Sequence, residues 1–177
     1  MKIPSYQKSL DVLHFGTLKP RAYFIPYENL QDALSGDRTK SAYFTSLCGE
    51  WSYKFYESFE DIDCEFWSES FDYSSLPEVP VPGNVQLYKD VPHDKPLYSN
   101  LYYPFPVDPP HVPDENPCSV FIKEFFVNDE MADRDNILTF EGVASCFYLW
   151  INGQFVGYSQ ISHATSEFDK VCSQRCK

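Results

Sequence analysis

Glu167 and Asp169, in the run Ser166-Glu167-Phe168-Asp169, are the side chains whose type and spacing most invite acid–base chemistry. Residues two apart in an extended strand point the same way. Both carboxylates would then approach a bond from one side, whereas an acid and a base that split a bond must flank it. A second acidic group, Glu57, Glu60, Asp61, Asp63 and Glu65, falls in an acidic and aromatic stretch ending at Phe71. It lacks the glycine-punctuated pattern of a calcium loop and reads as the solvated side of a short helix or loop. His14, His93, His111 and His163 are scattered without ligand spacing. Cys172 and Cys176 have no second Cys or His pair beside them, as zinc would want. Cys48, Cys64, Cys118 and Cys146 sit among apolar or strand-like neighbours, where a thiol behaves as a small hydrophobe. With no secretion signal, the 6 cysteines read as reduced thiols rather than a disulfide framework. There is no nucleophile elbow and no phosphate-binding glycine loop. The residues by themselves name no metal, no cofactor and no catalytic set.

Strands must carry these side chains. In Phe147-Tyr148-Leu149-Trp150-Ile151, Phe147, Leu149 and Ile151 share one face, and Tyr148 and Trp150 share the other. Both faces are apolar or aromatic, which predicts that both are covered. Asn152-Gly153 accepts positive φ at two successive positions, the requirement of a type I′ hairpin turn. Phe155-Val156 begins the returning strand, and Gly157 leaves room for a neighbouring backbone. Leu47 to Phe55 reads as the first strand, with Trp51, Tyr53 and Phe55 on one face. Val79-Pro80-Val81-Pro82-Gly83-Asn84 reads as a turn-rich approach to the next. Val120 to Val127 and Asn136 to Phe140 read as further strands joined by the charged turn Asp129 to Asp135. The second continues through Glu141 to Ser145 towards the hairpin.

Residues 1–45 form a leader with little periodicity, holding a short helix around Glu28 to Leu34 that Gly36 ends. From Val91 to Pro117 the prolines forbid a helix and limit strand pairing, so the chain should run extended over the surface. Passages of this kind are commonly functional or stapled to a neighbour. Short strands with turns about every 8–12 residues indicate an all-β sandwich.

Composition narrows the partners. A formal net charge of −12 argues against nucleic acid or an anionic membrane, because both are polyanions. Aromatics make up 18% of the chain, with 13 Tyr and 15 Phe, which suits strands and stacking. Ring by ring, core packing is the preferred explanation. The N-terminus has no apolar h-region or small-residue cleavage site, and no run is long enough to span a bilayer. A soluble cytoplasmic protein is expected. Its 177 residues suffice for one domain with a sizeable core.

Several segments follow one another in a telling order. They are Leu47-Cys48-Gly49-Glu50-Trp51, Val81-Pro82-Gly83-Asn84-Val85-Gln86, Pro96 to Pro104, Val107 to Pro117, and the hairpin running on through Gly157-Tyr158-Ser159-Gln160 to Asp169. In this order they closely resemble the N-terminal sugar-binding domain of bacterial β-galactosidases of glycoside hydrolase family 2. Pro20-Arg21-Ala22-Tyr23-Phe24-Ile25-Pro26-Tyr27 is similar to that family's leader segment. The resemblance covers roughly residues 17 to 169. It implies a jelly-roll of the galactose-binding type over residues 46–177, behind a leader of residues 1–45.

The resemblance also implies a division of labour. Hydrolysis of a glycosidic bond with retention needs two carboxyl groups on either side of the anomeric carbon. In the family both are glutamates of a TIM barrel far downstream, so no catalytic residue is expected here. Magnesium and sodium are implied for the complete enzyme, and no cofactor is expected in this chain. The implied partners are the remaining β-galactosidase domains, and a galactoside only once the barrel completes the pocket. There is room for a homo-oligomer of the full enzyme. Asn100 matches a family substrate contact in the Tyr98-Ser99-Asn100 loop; an amide both donates to and accepts from sugar hydroxyls. The plainer alternative is an Asn that caps its own turn.

Two positions depart from the family. Many members carry an Asp just after the Gly-Tyr-x-Gln run, where it touches substrate and an alkali ion; here Ile161 stands instead, and Thr165 replaces a frequent Pro. Family members also continue beyond Asp169 with a turn and another long strand, so the chain is expected to be an N-terminal piece with an incomplete domain. The expected function is the sugar-binding domain of a β-galactosidase that hydrolyses terminal β-D-galactosides such as lactose with retention. Two alternatives stay open. A free-standing carbohydrate-binding module would be favoured by a solvent-facing aromatic platform. A structural bracing domain without ligand contact is the direction in which Ile161 leans.

Overall fold

The computed structural model describes residues 3–96, 108, 110–127, 131 and 134–169, together with the backbone of 175–176. Its strands are β1 (His14–Phe15), β2 (Gly49–Tyr56), β3 (Glu78–Val81), β4 (Cys118–Ile122), β5 (Phe125–Phe126), β6 (Leu138–Phe140), β7 (Cys146–Ile151), β8 (Gln154–Gln160), β9 (Ser166–Phe168) and β10 (Arg175–Cys176). A short helix, α1 (Leu30–Ser35), and a few 3-10 turns accompany them. The strands form the sheets β1-β8-β7 and β3-β2-β4 and the pairs β6-β9 and β5-β10. Every pairing is antiparallel. The all-β sandwich expected from the strand pattern is the architecture found.

The hairpin forms as the sequence requires. β7 and β8 pair from Cys146 opposite Gln160 to Ile151 opposite Gln154, and the turn residues Asn152 and Gly153 have φ of 48° and 75°. The register slips between Leu149, which faces Gly157, and Trp150, which faces Phe155. Such an irregularity bends a strand and increases its twist. Phe147, Leu149 and Ile151 pack with Val156 of the neighbouring β8 and with Phe168 of β9, joined by Leu138 and Phe140. Tyr148 and Trp150 meet Tyr6, Phe59, Phe66 and Trp67 on the opposite side. Both faces are covered, as the apolar alternation predicts.

The sheet β3-β2-β4 is likewise buried on two sides. Tyr53, Phe55 and Phe121 pack with Val79 and Tyr88. On the other face Tyr56, Val120 and Ile122 pack with Phe66, Phe71, Tyr73 and Leu76. Three local expectations need correction here. The stretch beginning at Val79 is not only turn: Glu78–Val81 is β3, with Pro80 opposite Glu50. Proline is tolerated because β3 lies at the edge of its sheet, where a missing donor costs no ladder bond. The strand expected over Val120 to Val127 is two strands. β4 pairs with β2 and β5 with β10, and the break at Lys123-Glu124 is where the chain changes sheets. Lys123 Nζ donates to the Glu50 carbonyl at 2.8 Å across that corner. Cys48, expected to pack, is exposed.

The leader is laid against the sandwich. β1 extends the hairpin sheet, with His14 opposite Ser159 and Phe15 opposite Tyr158. The Leu18 amide donates to the Glu167 carbonyl at 2.8 Å. Lys8 Nζ reaches Glu60 at 3.1 Å and Asp114 at 2.6 Å. α1 is the expected short helix: Asn29 accepts from the Asp32 amide as its cap, and Gly36 ends it at φ 68°. Glu57, Glu60, Asp61, Asp63 and Glu65 are all exposed around the turn Phe59–Asp61. They are the solvated surface anticipated.

Candidate functional site

The sequence-predicted substrate contact, Asn100, lies outside the described residues. In the described parts of its Pro-rich passage, residues 91–96 and 110–117, there is neither helix nor strand. The sequence also marks the turn between β8 and β9, which is described throughout.

That turn, Ile161 to Thr165, sits beside the loop of residues 141–145. Ile161 has φ 93°, His163 φ 64° and, across the gap, Ser145 φ 60°. Positive φ is uncommon outside glycine and is a true outlier for a β-branched residue. Tertiary hydrogen bonds impose the shape. The His163 amide donates to the Val143 carbonyl at 2.9 Å and the Ala164 amide to the Ile161 carbonyl at 3.1 Å. The Ser145 amide donates to Ser162 Oγ at 3.1 Å. On the leader side, the Gln160 side-chain amide donates to the Val12 carbonyl at 3.0 Å. A β-carbon on Gly142 would stand only 3.3 Å from His163 Cα, so the two loops close on each other through that glycine. Ile161 itself is 55% exposed.

The carboxylate pair of the sequence separates. Glu167 is 6% exposed and is held by Arg21, Nε to Oε2 at 2.8 Å and Nη2 to Oε1 at 3.1 Å. Asp169 lies beyond the end of β9 and is exposed. A carboxylate clamped by a guanidinium is neither a free base nor a ready acid. The histidines are also dispersed in role. His14 Nδ1 is 2.9 Å from Ser159 Oγ, which is 2.8 Å from Ser166 Oγ. Ser159 is 2% exposed, so this Ser–His contact is a structural tie that substrate cannot reach. His93 Nδ1 contacts the Asp94 carbonyl at 2.6 Å, while His111 and His163 are exposed.

A third cluster had no sequence signal beyond a family-like leader. Tyr23 donates its hydroxyl to Glu141 Oε1, and Arg38 Nη1 meets the same oxygen at 2.8 Å. These bonds hold the Glu141 carboxyl below its ordinary range and push the Tyr23 phenol up. The cluster ties the leader to the loop that faces Ile161. Deeper inside, burial pushes the Tyr148 phenol up to about 12 and the Cys118 thiol up to about 11. A thiol shifted this way is inert at neutral pH, because the thiolate is the nucleophile. Among the described residues, no group of three or more His, Cys, Asp or Glu side chains could hold a metal ion. None of their helices is long and apolar enough to cross a membrane.

Residues 44–173 match the sugar binding domain of glycosyl hydrolases family 2. The chain belongs to that family. It is 41% identical over 169 residues to a beta-galactosidase of Actinobacillus pleuropneumoniae, covering 96% of this chain and 16% of that protein. A beta-galactosidase of Staphylococcus xylosus is 39% identical over 168 residues, covering 93% of the chain and 16% of its own length. One from Priestia megaterium is 33% identical over 171 residues, covering 94% and 16%. The chain thus spans about 16% of the length of the relatives it matches. Ile161 is one of the two positions at which the sequence departs from the pattern that the resemblance implies. Where the resemblance implies an oxygen ligand for an alkali ion, Ile161 supplies only hydrocarbon.

Proposed function

We propose that this chain is the sugar-binding domain of a β-galactosidase, acting on terminal β-D-galactosides such as lactose with retention of configuration. The observation that carries the reading is likeness along nearly the whole chain, leader included, to proteins named as beta-galactosidases. In this reading residues 1–45 are a leader and the domain begins near residue 46. The catalytic carboxyls reside outside this chain, in a barrel. The arrest of Glu167 by Arg21 supports that assignment, since the most tempting local acid is already occupied. The domain contributes a rigid scaffold and one loop, from which the Asn100 amide donates to and accepts from galactosyl hydroxyls. Its partners are the remaining domains of the enzyme, and magnesium acts in the complete protein. The setting is cytoplasmic.

A free-standing sugar-binding module is the rival that the aromatic face of β7 brings up. Trp150 is stacked on Trp67 at 5.4 Å and on Tyr148 at 5.9 Å. Phe155 and Phe66 lie 5.3 Å from the same ring. Rings packed on rings leave no bare platform for a pyranose at this tryptophan, which favours the enzyme-domain reading.

The test uses the intact polypeptide that carries this chain, beside the 177-residue chain alone. The intact protein hydrolyses a chromogenic β-galactoside and the isolated chain does not. Asn100→Ala in the intact protein lowers kcat/KM by the equivalent of about 1–3 kcal/mol, the usual cost of leaving buried polar partners unpaired. An intact protein that binds galactosides but never turns them over would return the assignment to a binding module.

A further inference from the structure

We infer that the galactoside site to which this chain contributes works without an alkali cation at position 161, an inference that rests on the β-galactosidase reading above. Ile161 has no lone pair to offer, and hard cations are held by oxygen. The neutral oxygens beside it are no substitute for a carboxylate, and two of them already accept a hydrogen bond. The Ile161 carbonyl accepts from the Ala164 amide at 3.1 Å. Ser162 Oγ accepts from the Ser145 amide at 3.1 Å and lies 3.4 Å from His163 Nδ1.

The backbone says what kind of side chain this position suits. At φ 93° Ile161 occupies a region that β-branched residues avoid and that Asn, Asp and Gly enter more readily. Nor does core packing explain the isoleucine, since the residue is 55% exposed. The turn therefore keeps a backbone suited to a short polar side chain while presenting an apolar one to whatever faces it. At position 161 the chain thus presents hydrocarbon where the resemblance implies an oxygen ligand.

Ile161→Asp is the informative substitution, because it returns a carboxylate to a backbone that accepts it. Melting temperature and galactoside turnover are measured for the intact polypeptide and its Ile161→Asp variant, in NaCl and in KCl at equal ionic strength. The parent is expected to show the same turnover in both salts. The variant should melt no lower than the parent and gain a sodium-specific increase in turnover and melting temperature. Sodium-specific activation of the parent would overturn the inference. So would a variant that melts lower than the parent, since the turn would then be built for isoleucine. If neither protein turns over in any salt, the galactosidase reading fails instead, and the sodium-specific melting shift of variant over parent still decides the cation question.

Discussion

Arg21 and Glu167, 146 positions apart, meet in a two-pronged ion pair that fastens the leader to β9. The carboxylate is buried while the guanidinium keeps 44% of its side-chain surface in solvent. The two ends are therefore unequal: removing the arginine strands a buried charge, whereas removing the charge leaves an arginine that water can still serve.

Glu167→Gln keeps the shape but weakens one prong and the charge assistance on both. We expect a loss of about 1.5–3 kcal/mol, the range for hydrogen bonds to charged groups. For a chain of this size that is a fall in melting temperature of roughly 2–4 °C per kcal/mol. Limited proteolysis should cut the leader faster in the variant. Unchanged melting and unchanged cleavage would make the pair incidental to docking of the leader.

A second contact sets how closely the leader can approach. A β-carbon on Gly157 would stand 2.4 Å from the Phe15 carbonyl oxygen and 2.5 Å from the Phe168 ring. On the other strand, one on Gly16 would stand 2.3 Å from the Val156 carbonyl oxygen. Gly157→Ala should thus cost about 1–3 kcal/mol through overpacking, since neither backbone nor a fully buried ring gives way cheaply. Hydrogen exchange of the β1 amides separates the outcomes: faster exchange confined to β1 means the leader lifts off, and global acceleration means the Phe168 core is disturbed. Parent-like exchange and stability would show that the two strands need no glycine between them.

These contacts also explain what could be read from the sequence. The β7–β8 hairpin was legible because alternation and an Asn-Gly turn are local signals, and both survive in the structure. β1 was not: two residues, His14 and Phe15, carry no period, and their pairing depends on glycines far apart in the chain. β3 was hidden by Pro80 and Pro82, which signal a turn locally, while the strand comes from pairing with β2. Glu167 drew notice only for its spacing from Asp169, and nothing local joins it to Arg21; the fold brings the two together. Asn100 could be singled out through resemblance to a family and through nothing local. Ile161 stood out as a departure, but its unusual backbone is a property of the surrounding hydrogen bonds.

The Glu141 cluster predicts behaviour in acid. Bonds from Tyr23 and Arg38 depress the Glu141 pKa in the folded state. The unfolded state then binds a proton more readily, so the contribution is present above the ordinary carboxylate range and is lost as pH falls through the folded value. Glu141 is half exposed, so the effect is small and screened by salt. Glu141→Gln should melt below the parent at pH 6, with the gap closing as the pH is lowered through the carboxylate range. A gap independent of pH would mean the substitution acts through shape rather than charge.

The buried phenols and thiols predict the opposite limb. Burial raises Tyr148 to about 12 and Tyr56 to about 12, and pushes Tyr158, fully buried with its hydroxyl beside the Cys146 thiol, further still. An unfolded chain ionises its tyrosines near 10, so above that pH the unfolded state releases protons that the folded state retains. These phenols should cost no stability below pH 10, and stability should decline steadily as the pH rises from about 10 to about 12. Absorbance at the phenolate band should show exposed tyrosines titrating first, with a later step that coincides with unfolding by circular dichroism. Tyr158→Phe removes a buried hydroxyl whose neighbour is only a weakly hydrogen-bonding thiol, and with it the largest of these shifts. It should leave neutral-pH stability unchanged or raised and move the alkaline unfolding step to higher pH. Cys118 and Cys146 supply an independent reading, because burial raises both thiols. A thiol reagent should label the exposed Cys48 already at pH 8, and these two only when the pH is raised past the alkaline transition. Tyrosines that all titrate together near 10 while the fold persists would mean the Tyr148–Tyr158 layer is open to water.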